Sequence, residues 1–294
     1  VRVTFLGREV DHRPWVLSAP AGDLTPSFVA HPGGAAPEAV VAAVRDTRPD
    51  VVVAFTADAL PGAALAEAGA LTLAVVTDRF APGVEDVWSP EPGLPPAPAL
   101  PAGYDRVLTT DPLLARAAGA WRSAPLPVDD ARFADVIARS PGPHTPPRIV
   151  LHGATTTWRS FWLPDLVEHY GLRQILPGEP LDPAFAEATV GLCLRSDRKD
   201  PEFPVIALLH LAAGHLLLTE PLRPLRGLEP ELDHLEVCEP VDALHLLHQV
   251  ARRPAAFEHV RMRARIRMEQ FRASVIWPRI LADLKLDVAA YGRP

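Results

Sequence analysis

The sequence predicts an α/β fold made of two parallel-sheet halves followed by a helical tail. Three observations carry that expectation. Short apolar runs alternate with helical patterns from one end of the chain to the other, which is the rhythm of βαβ units around a parallel sheet. The runs are apolar throughout rather than alternating, as suits strands covered on both faces. A Pro/Gly/polar stretch, SPGPHTPP at 140–147, then interrupts the rhythm, which restarts at Arg148. That composition is typical of an inter-domain linker.

In chain order, Val1–Leu6 reads as a strand, Pro37–Asp46 as a helix and Val51–Phe55 as a strand. Ala59–Ala68 follows as a helix, then Leu71–Thr77 and Arg106–Thr109 as strands. Proline fits neither helix interiors nor central strands. The cluster of Pro90, Pro92, Pro95, Pro96, Pro98 and Pro101 therefore marks 80–103 as an extended surface loop. Past the linker, Arg148–Leu151 is a strand, Trp158–His169 a helix, and Gln174–Leu176 and Val190–Leu194 strands. Phe203–Ala213 reads as a buried helix closed by Gly214, followed by strands at His215–Thr219 and Glu236–Cys238. Val241–Leu284 is helical, with interruptions expected at Pro254 and Pro278.

The chain of 294 residues can bury one large or two ordinary cores. A net charge of −7, with only Lys199 and Lys285 as lysines, leaves no general basic surface, so no nucleic-acid partner is expected. No apolar run is long enough to span a membrane, and VRVTFLG has no basic n-region ahead of a long apolar core, so a cytoplasmic protein is expected. Cys193 and Cys238 sit in apolar runs and read as two buried thiols. Gly-x-Gly-x-x-Gly, Gly-x4-Gly-Lys-Ser/Thr and Gly-x-Ser-x-Gly are all absent, which speaks against dinucleotide oxidoreductases, P-loop hydrolases and serine hydrolases. His245 and His248 are one helical turn apart, but no second pair completes a metal set, so no metal is expected.

Three segments select among two-domain α/β proteins. PVDDARF (Pro127 to Phe133) resembles the Val-Asp-x-x-x-Phe signature closing the first domain of many retaining glycosyltransferases of the GT-B type. RIVLHG (Arg148 to Gly153) is similar to the strand and glycine turn that open their second domain. The helix, Ala-Ala-Gly and strand of 203–219 resemble their donor-site core. RPDVVVAF, LAVVTD, YDRVLTTDP and the closing order of Glu239, Pro240 and ARRP are similar to the CgeB-like, spore-maturation group of that family.

The resemblance implies two Rossmann-like domains facing each other across a cleft. An acceptor domain would cover 1–139 and a nucleotide-sugar domain 148–274, joined by the linker 140–147. A C-terminal helix over 275–294 could pack back on the first domain. It also implies a metal-independent glycosyltransferase without a cofactor. The donor would be a UDP- or GDP-linked sugar and the acceptor a small molecule, glycan or protein. The alternative is a degenerate GT-B protein that binds a nucleotide or a partner protein without turnover. A two-lobed small-molecule binding protein is a third reading.

On the donor side, Arg198 and Lys199 precede the expected helix start and could neutralise a diphosphate, or belong to a solvated charged loop. In HGATTTWR, Gly153 allows close backbone approach, Thr155 offers a hydroxyl and Arg159 could reach a phosphate, while a threonine-capped helix start is the plainer alternative. The family's Glu-x7-Glu pair falls on Pro201 and Leu209. Glu202 and His210 lie one residue on, as a carboxylate near the transferred sugar and a ribose ligand, or for His210 a core histidine. Glu220 ends a strand, where ligands commonly bind or a surface turn begins. On the acceptor side, Asp78 and His12 follow strands and could act as general base if the reaction inverts configuration.

Overall fold

The computed structural model describes residues 1–293 except 32–35, 56–59, 61, 78–99, 111, 113–114, 117–118, 134–145, 177, 196–203 and 223–224. The chain divides into two compact units. The first comprises Val1–Asp129 with Ala273–Pro294, and the second Asp130–Arg272. Most of the expected loop 80–103 and linker 140–147 lies outside the described residues.

The first unit is built on a parallel sheet of β1 (Arg2–Gly7), β2 (Thr25–Ala30), β3 (Val51–Ala54), β4 (Leu71–Val76), β5 (Arg106–Thr109) and β6 (Arg122–Ser123), ordered β2-β1-β3-β4-β5-β6. All four residues of β3 are buried, as a strand covered on both faces requires. On one face Leu6, Val52, Ala54 and Ala74 pack against Val40, Val41 and Val44 of helix α2 (Pro37–Asp46). Short helices α1 (Glu9–His12) and α3 (Gly62–Ala66) complete the first stretch of this unit.

β2, with sequence TPSFVA, has no clear strand pattern in the sequence. Its place at the sheet edge tolerates Pro26, because only one side of an edge strand must donate to the ladder.

The second unit holds β7 (Ile149–His152), β8 (Arg173–Ile175), β9 (Val190–Cys193), β10 (Leu216–Thr219) and β11 (Leu235–Glu236), ordered β11-β10-β9-β7-β8 and again parallel. Strand alternation sends Ile149, Leu151, Val190, Leu192, Leu216 and Leu218 to one face. There they pack on Trp162, on Leu166 of α4 (Leu163–Tyr170), and on Ala243, Leu247 and Val250 of α7 (Pro240–Arg252). α7 starts with Pro240 at its first turn and a reciprocal cap: Glu239 accepts from the helix backbone, while the Asp242 carboxylate accepts the Glu239 N–H at 3.0 Å. The remaining helices of this unit are α5 (Asp182–Glu187), α6 (Ile206–Ala212) and α8 (Glu258–Arg267). Of the two cysteines Cys193 is buried and Cys238 exposed, which corrects the expectation of two buried thiols: Cys238 follows the two-residue edge strand β11 and leads into a helix cap.

The final helix, α9 (Ala273–Tyr291), runs through Pro278, so the interruption expected there does not occur. Proline removes one rung of the helix ladder, and tertiary contacts compensate. Trp277 is fully buried, edge-on to Phe5 at 5.1 Å and to Phe55 at 6.2 Å, and its indole N–H donates to the Trp15 carbonyl at 3.0 Å. Asp287 accepts from Arg106 and Asp283 from Arg122 at 2.6 Å, fastening the same helix to β5 and β6. No described helix is long and apolar enough to cross a membrane.

Candidate functional site

In both sheets the chain reverses direction of travel next to its first strand, between β1 and β3 and between β7 and β9. Open α/β sheets bind ligands outside the carboxyl ends of their strands at such a switch point, because the connections leave there in opposite directions and open a crevice.

In the second unit the switch point is a connected polar network. β7 is followed by Gly153, whose φ of +117° belongs to glycine, and a Cβ there would lie 2.2 Å from an Arg159 nitrogen. Arg159 folds back over this glycine. Its Nη1 donates to the Ala154 carbonyl at 2.8 Å, Nη2 to Leu194 at 2.8 Å, and Nε to Leu194 and Arg195 at 3.2 and 3.1 Å. Arg159 was expected to reach a phosphate. Its donors instead tie the end of β7 to the end of β9, and its charge stays at the switch point. Thr156 accepts the Arg159 N–H at 3.2 Å within the turn, while the helix that follows starts only at Leu163 and has no side-chain cap, so the threonine-capped helix start expected here does not form. Thr155 donates to Gln174 at 3.1 Å, and Gln174 donates to the Gly153 carbonyl at 2.7 Å, bracing the turn from β8.

Glu220, the first residue after β10, is 1% exposed and is not the ligand-facing carboxylate expected from the sequence. Four N–H groups saturate it: the Trp158 indole at 3.1 Å, and the backbone, Nε and Nη2 of Arg195 at 2.7, 3.0 and 2.8 Å. The Arg195 side chain keeps 20% of its surface. Glu220 therefore fixes a guanidinium at the carboxyl edge of the sheet, beside the switch point. Arg195 escaped the sequence reading because nothing local distinguishes it from Arg198. Its partner lies one strand away, and only the parallel pairing of β9 with β10 reveals it.

His210 is fully buried in α6, so of its two readings the core histidine is the one realised. It packs on Gly191 of β9, where a Cβ would meet the ring at 2.4 Å, and it stacks on Phe185 at 4.6 Å. His215 Nε2 lies 3.0 Å from the Phe185 carbonyl and so carries a proton. His215 Nδ1 is then the acceptor for His210 Nδ1 at 3.0 Å. Burial, with His215 and His152 adding to it, holds His210 well below its ordinary pKa. Leu209, where the resemblance placed a carboxylate, is 2% exposed and lines a cavity of about 210 Å³ with Leu181, Phe185 and Ala213. Arg198, Lys199 and Glu202 lie outside the described residues.

In the first unit the switch point carries His12, stacked on Phe55 at 5.1 Å and accepting the Arg8 N–H on Nδ1 at 2.9 Å. Burial, reinforced by the Arg8 charge, lowers its pKa to about 4. A neutral ring that accepts on Nδ1 carries its proton on Nε2. His12 thus presents an Nε2–H donor at this switch point. Asp78 lies outside the described residues. Among the described residues no group of three His, Cys, Asp or Glu side chains could hold a metal ion.

The His12 shift sets a pH dependence. Between the usual 6.5 and about 4 the unfolded chain binds a proton that the folded chain refuses. Stability is therefore complete above that window and falls as the pH drops through it, by at most about 3 kcal/mol. Melting temperatures from pH 7 to pH 4 should show this slope, and His12→Gln should reduce it, leaving the part that the likewise lowered His210 and His234 contribute. An unchanged slope in the variant would remove His12 as the cause.

By sequence, the chain matches no family model and no curated protein. Solved structures are similar along nearly its whole length. AviGT4, a glycosyltransferase involved in avilamycin A biosynthesis, superposes with a TM-score of 0.56 at 14% identity, covering 98% of each chain. Alr3699/HepE from Anabaena, in complex with UDP and glucose, gives 0.54 at 11% identity over 97% of this chain and 99% of its own. Sucrose-phosphate synthase from Thermosynechococcus elongatus gives 0.51 at 13% identity over 97% and 99%. At such identities the likeness is one of architecture: two all-parallel α/β sheets with a helical tail give this chain the GT-B fold.

Proposed function

We propose that this protein is a metal-independent glycosyltransferase that takes its sugar from a UDP- or GDP-linked donor, and that it belongs with the CgeB-like group. The observation that carries the reading is Arg195, fixed by Glu220 at the carboxyl edge of the second sheet. In glycosyl transfer the bond from the anomeric carbon to the diphosphate breaks and its electron pair leaves with the diphosphate. A new bond forms to the acceptor oxygen, which gives up its proton. A preorganised guanidinium opposite the leaving diphosphate lowers that barrier without a metal. Arg159 adds charge behind the Gly153 turn, and Arg198 and Lys199 are proposed to join from the segment that follows. Structural neighbours crystallised with UDP and UDP-glucose support the donor class.

Asp78 is proposed as the acceptor's base and Glu202 as the carboxylate near the sugar. His12 would donate a hydrogen bond on the acceptor side. A cytoplasmic location is part of the proposal. Titration calorimetry with UDP- and GDP-sugars, followed by turnover assays, tests the reading. Binding of at least one donor is expected, and folded protein that binds none would overturn it.

The buried Leu209 favours a second reading, a GT-B protein that holds a nucleotide without turnover. Binding without donor consumption, across a panel of acceptors, would select it.

A further inference from the structure

The run Trp158–Trp162 carries three aromatic rings, and the fold uses only two of them. Trp162 is fully buried in the core of the second unit, and Trp158 is half-buried with its indole N–H on Glu220. Phe161 keeps 65% of its surface in solvent. It closes a single 3₁₀ turn, Arg159–Phe161, and 3₁₀ geometry eclipses residues three apart. Phe161 therefore sits in line with Trp158, with ring centroids 6.3 Å apart and planes tilted by 55°. Trp158 is tied through Glu220 to Arg195, so the exposed ring packs against a side chain that is hydrogen-bonded to the partner of the charged group.

We propose that Phe161, backed by Trp158, is the stacking surface for the nucleobase of the donor. This rests on the donor-site reading of the second unit and deepens it. A nucleoside diphosphate carries its anionic and aromatic parts on opposite sides of a ribose, and the network offers a guanidinium and an apolar ring to match. Every base has a π-face, so stacking tolerates a change of base where hydrogen-bond readout does not. The platform selects for a nucleotide over a bare diphosphate and discriminates weakly between uracil and guanine.

The test is calorimetry with UDP, GDP and pyrophosphate on the full chain and on Phe161→Ala, Phe161→Trp and the double variant Arg195→Gln, Glu220→Gln, which strands no buried charge. UDP and GDP should bind the unaltered protein with similar affinity. Phe161→Ala should weaken both by about 5- to 100-fold and leave pyrophosphate unchanged, while Phe161→Trp should retain binding. Phe161 is exposed, so equal melting temperatures should confirm that these two variants fold. If Phe161→Ala binds UDP and GDP as before while the folded double variant Arg195→Gln, Glu220→Gln loses them, the platform is overturned and the donor-site reading stands. Equal loss of pyrophosphate in Phe161→Ala would also overturn it, because the ring would then act on the shape of the diphosphate site. If the unaltered protein binds neither nucleotide, both readings fall.

Discussion

Replacing Trp277 by alanine is expected to destabilise the first unit by about 3–5 kcal/mol, the cost of removing a fully buried large aromatic side chain. Three losses combine at this position. The ring leaves a void against Phe5 and Phe55, the Trp15 carbonyl loses its indole donor, and α9 loses its main anchor. The third matters because Pro278, the next residue, already weakens the helix ladder. Domains are stable by only about 5–15 kcal/mol, so the variant should melt well below the parent protein. Trp277→Phe keeps most of the volume and should cost less. Chemical denaturation of the three proteins checks the order, and an alanine variant as stable as its parent would show that α9 contributes little to this core.

The second large effect is expected at Arg195 and Glu220. If Arg195 stabilises the leaving diphosphate, Arg195→Gln should lower kcat/KM by about 10²- to 10³-fold, as for other preorganised charge stabilisers. The same change leaves the Glu220 carboxylate buried without its cation, a defect that costs about 3–5 kcal/mol when a buried pair is broken. Activity and stability would then fall together and could be confused. The double variant Arg195→Gln, Glu220→Gln separates them. It contains no uncompensated charge at this position, so its melting temperature should recover while its turnover stays low. Turnover that recovers with stability would show that the Arg195 charge plays no part in catalysis.

Regular structure was legible wherever the local signal and the environment agree. Pro37–Asp46 forms a helix over the expected residues, and Val51–Ala54 and Arg106–Thr109 are strands buried enough for continuous apolar character to reveal them. β2 was missed because an edge strand need not be apolar, and α9 was misread because Pro278 is tolerated once Trp277 is packed. In the second unit, the Gly153 turn could be read locally, since it needs a positive φ, whereas the helix expected from Trp158 starts only at Leu163.

Side-chain roles at the site followed a different logic. Residue type and strand-end position drew attention to Gly153, Arg159, Glu220 and His12, but left open what each side chain touches. Glu220 lies against Arg195 because β9 and β10 are paired, and His210 is buried because Gly191 leaves room beneath α6. Both contacts join segments more than a dozen residues apart.

What the sequence by itself determined is the alternation of strands and helices and hence the two parallel sheets, because burial on both faces of a strand writes itself into consecutive residues. Whether an arginine faces solvent or a carbonyl, and whether a glutamate faces a ligand or a guanidinium, depends on partners brought close by strand order. The tertiary structure decided that, among the described residues, the Arg195 guanidinium is held by Glu220 at the sheet edge and its carbonyl by Arg159.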